Sequence, residues 1–130
     1  MTLADLMAEA FARDEGVAIV YMTDGPASAI DRVREGTKAF TLVVVDSTSA
    51  SVDRAMMLAA IGALAIELGP ERRIGALDVG IDGAPADSVS AARFLAGAGS
   101  TTGQILALTA NGQAGGLPRS QEPSESSTKR

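Results

Sequence analysis

The sequence contains no cysteine and no histidine, and each absence removes a class of chemistry. Without cysteine there is no disulfide, no thiolate nucleophile and no zinc site of the usual sulfur-containing kind. Without histidine the chain lacks the side chain that most often acts as a general base near neutral pH. Any reaction at this protein must therefore depend on carboxylates, hydroxyls, arginines or the single tyrosine, Tyr21.

Positive charge is also scarce, which narrows the possible partners. Only two lysines are present, Lys38 and Lys129, and the formal net charge at pH 7 is −5. A nucleic-acid surface needs many cations to neutralise phosphates, so this composition argues against such a partner. No apolar run reaches the ~18 residues of a membrane-spanning helix, and residues 1–16 do not resemble a signal peptide. We therefore expect a cytoplasmic protein that binds neither nucleic acid nor membrane.

The apolar content is sufficient for one folded domain. Hydrophobic residues make up 46% of the 130 residues, which suits a single core. From Gln113 onward the composition changes to serine, glycine, proline and mixed charges. Ordering such a segment would cost conformational entropy with almost no apolar burial to offset it. The sequence predicts an α/β domain over residues 1–113 and a disordered tail over residues 114–130.

Strand and helix patterns alternate along the predicted domain. Four continuous apolar runs are typical of strands buried on both faces: Val17–Met22, Phe40–Asp46, Arg73–Val79 and Gly103–Thr109. Helical spacing and helix-ending signals predict helices at residues 2–13, 27–34, 51–68 and 87–96, the first opened by a capping box of Thr2 and Asp5. This alternation predicts a small doubly wound parallel sheet of about four strands, with helices on both faces and right-handed crossovers.

The helix predicted at residues 51–68 has no polar face along most of its length. Residues 55–66 read AMMLAAIGALAI, and Gly69-Pro70 ends the helix. A surface helix of a globular protein usually has an apolar stripe only a little wider than ~100°, so a helix that is apolar all round needs cover on a second side. In so small a chain we expect another subunit to provide it. The sequence therefore predicts a homo-oligomer, or a partner chain of the same type, bound through helix 51–68.

Two segments, in this order, resemble the short-chain dehydrogenase/reductase family. Residues 63–80, ALAIELGPERRIGALDVG, resemble the family segment ALA-x-EL-x-P-x-x-IRVN-x-x-x-PG. Residues 94–112, FLAGAGSTTGQILALTANG, resemble its terminal FL-x-S-x-x-x-x-x-TGQ-x-L-x-VDGG. Together with their connection they cover about residues 51–112 and would correspond to the last two helices and strands of the family fold. The resemblance implies a truncated Rossmann-like domain and, in an active member, NAD or NADP as cofactor.

The amino-terminal part resembles the family less distinctly. Residues 32–52, RVREGTKAFTLVVVDSTSASV, are similar to the third strand of the family and its following helix. They are also similar to a shortened version of the strand that carries the catalytic serine. Both placements are open from the sequence.

The resemblance also implies where the catalytic residues of the family would fall. In the family a Tyr-x-x-x-Lys opens the long helix, and the lysine lowers the tyrosine pKa so that it can exchange a proton with the substrate. Matching ELGP places Ala50 at the tyrosine position and Arg54 at the lysine position. Arg54 could reach a ribose hydroxyl or a phosphate, or it could be solvated. The catalytic serine would be Ser47 or Ser49, either of which could instead be the helix N-cap.

The cofactor-binding features that the family would supply are only partly present. Its glycine-rich turn, which brings backbone amides close to the pyrophosphate, has no counterpart near the start of this chain. The glycine-rich residues 97–103 follow a helix and precede a strand, which reverses the required order, and we interpret them as a helix end and loop. The resemblance places Val79 and Gly80 at the family Pro-Gly whose backbone touches the nicotinamide. These two are the candidate cofactor-binding residues.

Three aspartates form a separate candidate site. Asp24, Asp46 and Asp78 lie at the predicted carboxyl ends of three different strands, where open α/β sheets bind their ligands. Carboxylates in that position could hold a divalent cation such as Mg²⁺, which prefers oxygen ligands. Aspartate also ends strands and caps helices for local reasons, which is the alternative interpretation.

Three functions are compatible with these patterns. The first is a degenerate, non-catalytic relative of the short-chain dehydrogenases that acts through self-association or a partner chain. The second is an NAD(P)-dependent oxidoreductase whose incomplete site is completed by another chain. The third is a Mg²⁺-binding α/β domain with an acidic pocket. The alanine at the tyrosine position and the apolar helix together favour the first.

Overall fold

The computed structural model describes residues 2–46, 48–80, 85–99 and 101–108. Within these ranges helices and strands alternate in the order α1 (Leu3–Ala10), β1 (Val17–Tyr21), α2 (Pro26–Glu35), β2 (Phe40–Val45), α3 (Ser51–Leu68), β3 (Arg73–Val79), α4 (Pro85–Gly97) and β4 (Gln104–Leu108). The tail predicted at residues 114–130 lies outside the described residues. None of the helices in the described ranges has the length and hydropathy needed to cross a membrane.

The four strands form one parallel sheet in chain order, β1-β2-β3-β4. The central strands pair in the register that places Phe40 opposite Arg73 and Val45 opposite Asp78. Every residue of β2 is buried, as expected for a continuous apolar strand that is covered on both faces. The predicted parallel α/β sheet is confirmed, and β1 and β4 form its two edges.

Helices cover both faces of the sheet and divide the core into two layers. On one face, α2 and α3 pack against alternate residues of the strands; the buried residues of this layer include Val33, Val43, Met57, Ile61, Leu64 and Ile74. On the other face, α1 and α4 pack against the intervening residues, and that layer includes Met7, Phe40, Leu42, Leu77, Leu95 and Leu108. The predicted placement of helices on both faces is therefore confirmed.

The position of α4 changes the handedness of one connection. All three crossovers step in the same direction across the sheet, but α2 and α3 lie on one face whereas α4 lies on the other. The β3–α4–β4 crossover therefore has the opposite hand to the first two, and the expectation of uniformly right-handed crossovers is wrong. The physical reason is that the long α3 already contacts both β3 and β4 on its own face. Helix α4 instead packs beside α1 on the open face.

Helix boundaries follow local capping chemistry. The capping box that opens α1 is confirmed, because the Asp5 N–H donates to Thr2 Oγ1 and the Thr2 N–H donates to the Asp5 carboxylate, both at 3.1 Å. Helix α1 ends at Ala10, before the predicted Arg13. Helix α2 follows Gly25, whose φ of 94° suits glycine, and begins at a proline, whose fixed φ suits a first helical turn. Helix α4 begins at Pro85, two residues earlier than predicted.

Candidate functional site

The carboxyl ends of the parallel strands lie along one edge of the sheet, and the best-defined polar contact there joins α3 to β3. Arg54, in the first turn of α3, donates from Nη2 to Oδ1 of Asp78, the next-to-last residue of β3. The side chains of Arg54 and Asp78 are only 31% and 19% exposed, so the ion pair is partly removed from solvent. The Arg54 Nε atom is buried and has no hydrogen-bond partner among the described residues.

This contact settles where the side chain of Arg54 lies. The sequence left two interpretations open, a cation reaching toward a ribose or phosphate and a solvated residue at a helix start. In the structure the guanidinium instead turns inward and neutralises the carboxylate of Asp78. Asp78 faces α3 because it alternates with Leu77 and Val79, whose side chains are buried on the opposite face of the sheet.

The residue matched to the family tyrosine has no side-chain group that can transfer a proton. Ala50, at the tyrosine position, is the N-cap of α3 and provides no side-chain hydrogen bond. The interpretation of Ser49 as the N-cap is therefore wrong, and its N–H donates to the Asp46 carbonyl at 3.2 Å. Ser47 lies outside the described residues, so its candidate catalytic role stays a prediction.

The three aspartates proposed as a metal site have separate surroundings. Asp46 Oδ1 accepts hydrogen bonds from the Thr48 N–H at 3.0 Å and from Thr48 Oγ1 at 2.5 Å, which makes a local turn. Asp78 is paired with Arg54, and Asp24 lies at the start of α2. Among the described residues no group of three acidic side chains is close enough to hold a metal ion. The structure therefore does not bring Asp24, Asp46 and Asp78 together: Asp46 is held by Thr48 and Asp78 by Arg54.

Val79 and Gly80, the candidate cofactor-binding residues, make contacts within the domain itself. The Val79 side chain is buried in the core layer beneath α1 and α4. The Gly80 N–H donates to the Leu108 carbonyl at 3.0 Å. A Cβ atom at Gly80 would lie 2.8 Å from that carbonyl oxygen, which is too close, so the approach of β4 by itself explains why this residue is glycine.

Two shallow pockets flank this edge of the sheet. The first, of about 400 Å³, lies between the start of α1 and the ends of β1 and β2 and is lined by Thr2, Leu3, Ala4, Tyr21, Met22, Thr23, Val44 and Asp46. Partial burial there raises the pKa of the Tyr21 hydroxyl. The second, of about 410 Å³, lies between α2 and α3 and is lined by Asp24, Gly25, Pro26, Ala27, Ile30, Asp53 and Met56. Both are mainly apolar, with one or two carboxylates at the rim.

Comparison with protein-family models identifies the ancestry of this arrangement. A family model described as short chain dehydrogenase-like protein matches residues 7–108, which include all four strands of the sheet. The chain belongs to this family. Comparison with curated proteins and with solved structures gave no match. The resemblance drawn from residues 63–80 and 94–112 is therefore confirmed, and the match extends it to β1 and β2, which the sequence could not place.

Sequence reasoning missed two structural arginines of this short chain dehydrogenase-like domain. Arg72 donates to the Val33 carbonyl at 2.8 Å and to Thr41 Oγ1 at 3.2 Å, on the face covered by α2. Arg73 lies over the Phe40 ring at 4.7 Å on the opposite face. An arginine pair is usually expected on a solvated surface. Arg72 reaches the carboxyl end of α2, which precedes it in the chain, whereas Arg73 reaches the carboxyl end of α4, which follows it. No local pattern in the sequence indicates either contact.

Proposed function

We propose that this protein is a pseudoenzyme of the short chain dehydrogenase-like family that acts by self-association through α3. The observation that carries the proposal is the outer face of α3, which is apolar and open to solvent. Three large side chains on that face are exposed, Val52 by 68%, Met56 by 55% and Ile66 by 83%. A contiguous apolar patch on a protein surface marks an interaction site, whereas scattered apolar residues do not.

The exposed residues form one stripe rather than a scattering. The stripe consists of Val52, Ala55, Met56, Ala59, Gly62, Ala63 and Ile66, which repeat at intervals of three and four. The buried side of the same helix carries Met57, Ile61 and Leu64. Small residues occupy the middle of the stripe and large ones its ends, so a second helix can approach closely at the centre while its ends are held by larger side chains.

A second copy of the chain is the partner that this stripe fits best. No residue of the stripe is charged, and α3 has no charged residue between Arg54 and Glu67, so the stripe matches another uncharged apolar surface. A two-fold axis near Ala59 would place the large residue Val52 at one end beside Ile66 of the second copy at the other. Such an isologous contact uses the same patch on both subunits, which is the commonest arrangement in soluble oligomers.

The contacts at the carboxyl edge of the sheet support the absence of catalysis. Ala50 cannot donate a proton, and the charge of Arg54 is neutralised by Asp78. The Gly80 N–H is already used by the Leu108 carbonyl. The described residues include no glycine-rich turn from a strand into a helix N-terminus, as a dinucleotide phosphate requires. The described residues therefore do not fit NAD or NADP.

Light scattering on the purified protein tests the association. We expect Ala59→Glu to halve the mass measured at micromolar concentration, because a carboxylate at the centre of the stripe would be buried without a partner. Ala8→Glu is the matched control, since it makes the same change at an exposed position of α1 and should leave the mass unchanged. A wild-type monomer at this concentration, or equal masses for the two variants, would contradict the proposal.

Calorimetric titration with NAD, NADH, NADP and NADPH tests the other part of the proposal, that the protein is a pseudoenzyme without a cofactor site. We expect no saturable binding at millimolar concentrations of any of the four. Saturable binding that is lost in Arg54→Met would show that the cofactor site is retained and would overturn the assignment as a pseudoenzyme. The two experiments are independent, because the stripe and Arg54 lie on different sides of α3.

A further inference from the structure

The backbone groups along the free edge of β1 are arranged so that this edge can pair with the same edge of a second copy. β1 pairs only with β2 in the described sheet, so one of its sides has no neighbouring strand. The Phe40 N–H donates to the Gly16 carbonyl at 3.0 Å, and the Met22 N–H donates to the Val44 carbonyl at 3.1 Å. Even-numbered residues of β1 therefore face β2, and Val17, Ile19 and Tyr21 direct their backbone groups outward.

The two ends of this outward row are already satisfied. The Val17 N–H donates to the Asp14 carbonyl at 3.3 Å. At the other end, Arg32 Nη2 donates to the Tyr21 carbonyl at 2.6 Å. Four groups have no hydrogen bond from the described residues: the Val17 carbonyl, the Ile19 N–H and carbonyl, and the Tyr21 N–H. These four groups are symmetrically disposed about Ile19.

From this arrangement we propose that two copies of the chain pair antiparallel through β1, with a two-fold axis at Ile19. In that register Ile19 exchanges two hydrogen bonds with Ile19 of the second copy, and each Tyr21 N–H donates to the Val17 carbonyl opposite. All four free groups of each copy are satisfied, and the two groups that are already bonded end the ladder. The pairing joins two four-stranded sheets into one continuous sheet.

Charge placement favours a second copy as the occupant. Arg32 is held at the Tyr21 end of the edge. Antiparallel pairing brings that end beside the start of β1 in the second copy, which is preceded by Asp14 and Glu15. The exposed guanidinium of one copy therefore meets the acidic segment of the other, and the contact occurs twice across the axis. A parallel, in-register neighbour would instead place Arg32 beside Arg32.

The edge also lacks the features that usually prevent such pairing. Natural edge strands are commonly protected by lysine, proline or a bulge, and β1 reads VAIVY with none of these. The side chains of Val17, Ile19 and Tyr21 are only partly buried against the core layer beneath α1. Four hydrogen bonds and this small apolar area predict a weak contact, separate from the stripe on α3 and formed at higher concentration.

Hydrogen exchange on the unmodified protein tests the pairing directly. We expect the Ile19 and Tyr21 amides to exchange about tenfold more slowly at millimolar than at micromolar concentration, because only pairing protects them. The Ala18 and Val20 amides face β2 and should show no concentration dependence. Ile19 and Tyr21 amides that exchange at the same rate at both concentrations would overturn the proposal. The α3 contact does not alter this result, because it leaves the β1 edge open.

Disulfide trapping tests the register, and the absence of native cysteine removes any background. Ile19→Cys should give a linked dimer under mild oxidation, since a directly opposed antiparallel pair has Cα atoms about 5.5 Å apart. Val17→Cys should not link to itself, because its copy lies about 13 Å away along the strand. Mixing Val17→Cys with Tyr21→Cys should restore linkage. Self-linkage of Val17→Cys, or protection of the amides without linkage of Ile19→Cys, would indicate a different neighbouring strand and overturn the two-fold pairing.

Discussion

Arg54 and Asp78 form an ion pair that ties the first turn of α3 to the carboxyl end of β3. Matching the ELGP motif to the family pattern predicts that Arg54 falls at its lysine position and Ala50 at its tyrosine position. In the structure the Arg54 cation makes a structural contact with Asp78. The interaction is intramolecular and partly desolvated, so its contribution to stability can be measured without knowledge of any ligand.

Removing only one partner of this pair should be more damaging than removing both. Arg54→Met leaves the Asp78 carboxylate partly buried without a cation, and we expect a loss of about 1–3 kcal/mol in the free energy of unfolding. The double variant Arg54→Met/Asp78→Leu should recover part of that loss, since no charge is then left unpaired. Urea unfolding of the wild type, both single variants and the double variant gives the coupling energy. A coupling energy near zero would mean that the pair contributes nothing.

Arg73 should be the most important cation for stability. Its guanidinium donates to the carbonyls of Ala96 at 2.9 Å and Ala98 at 3.0 Å, with longer contacts to Leu95 and Thr101. These carbonyls lie at the end of α4, where a positive charge is also favoured by the helix dipole. We expect Arg73→Met, which keeps the apolar stem, to lower the free energy of unfolding by about 2 kcal/mol.

Arg13→Met is the control for Arg73→Met, because it removes an exposed arginine that lies just after α1. This substitution should change the unfolding free energy by less than about 0.5 kcal/mol. Equal effects of the two substitutions in chemical denaturation would show that the contacts of Arg73 at the end of α4 add no stability.

The ion pair between α2 and α3 should make stability depend on pH in the acid range. Arg34 Nε and Nη2 donate to the two carboxylate oxygens of Glu67, at 2.8 and 2.9 Å, and these hydrogen bonds lower the pKa of the Glu67 carboxyl in the folded state. A lowered pKa stabilises the folded state at pH values above the unfolded pKa of about 4.3, and the contribution is lost as the pH falls through the folded value. Both side chains are about half exposed, so the effect is small and screened by salt.

The measurement compares the wild type with Glu67→Gln from neutral pH down to about pH 3. The wild type should be the more stable protein at neutral pH, and the difference should shrink as the pH falls below about 4. Glu71→Gln changes an exposed glutamate outside the ion pair and serves as the control. A difference for Glu67→Gln that is constant over the whole range would show that the ion pair does not act on stability.

The elements of the fold were predictable because their patterns are local. β2 is apolar at every position except Thr41, and α3 follows from a long apolar run ended by Gly69-Pro70. The face on which α4 lies was not predictable from alternation alone. That choice depends on the reach of α3 across β3 and β4, which is a tertiary contact.

The candidate site was predictable in position but not in its contacts. The sequence identified Arg54, Asp78 and Gly80 as candidate site residues. It left Arg54 open between a ribose, a phosphate and solvent, offered Asp78 as a metal ligand or a local strand end, and matched Gly80 to a cofactor contact. In the structure Arg54 and Asp78 bind each other, and Gly80 is required by the Leu108 carbonyl. Strand order determines which of these groups become neighbours, and a pattern of single residues contains no information on that order.

The contrast between Gly80 and Gly62 separates a glycine required by packing from one that is not. A Cβ atom at Gly80 would lie 2.8 Å from the Leu108 carbonyl oxygen, whereas one at Gly62 meets nothing within 4 Å. We expect Gly80→Ala to lower the free energy of unfolding by about 1–3 kcal/mol, because β4 must shift away from β3. Gly62→Ala lies in the middle of α3. In the Ala59→Glu background, where the proposed α3 contact is absent, it should raise the free energy of unfolding by about 0.5–1 kcal/mol through helix propensity and lower unfolded-state entropy. Thermal and urea unfolding of both variants measure these changes, which should have opposite signs. A Gly80→Ala protein as stable as the wild type would contradict the close β3–β4 packing described for Gly80.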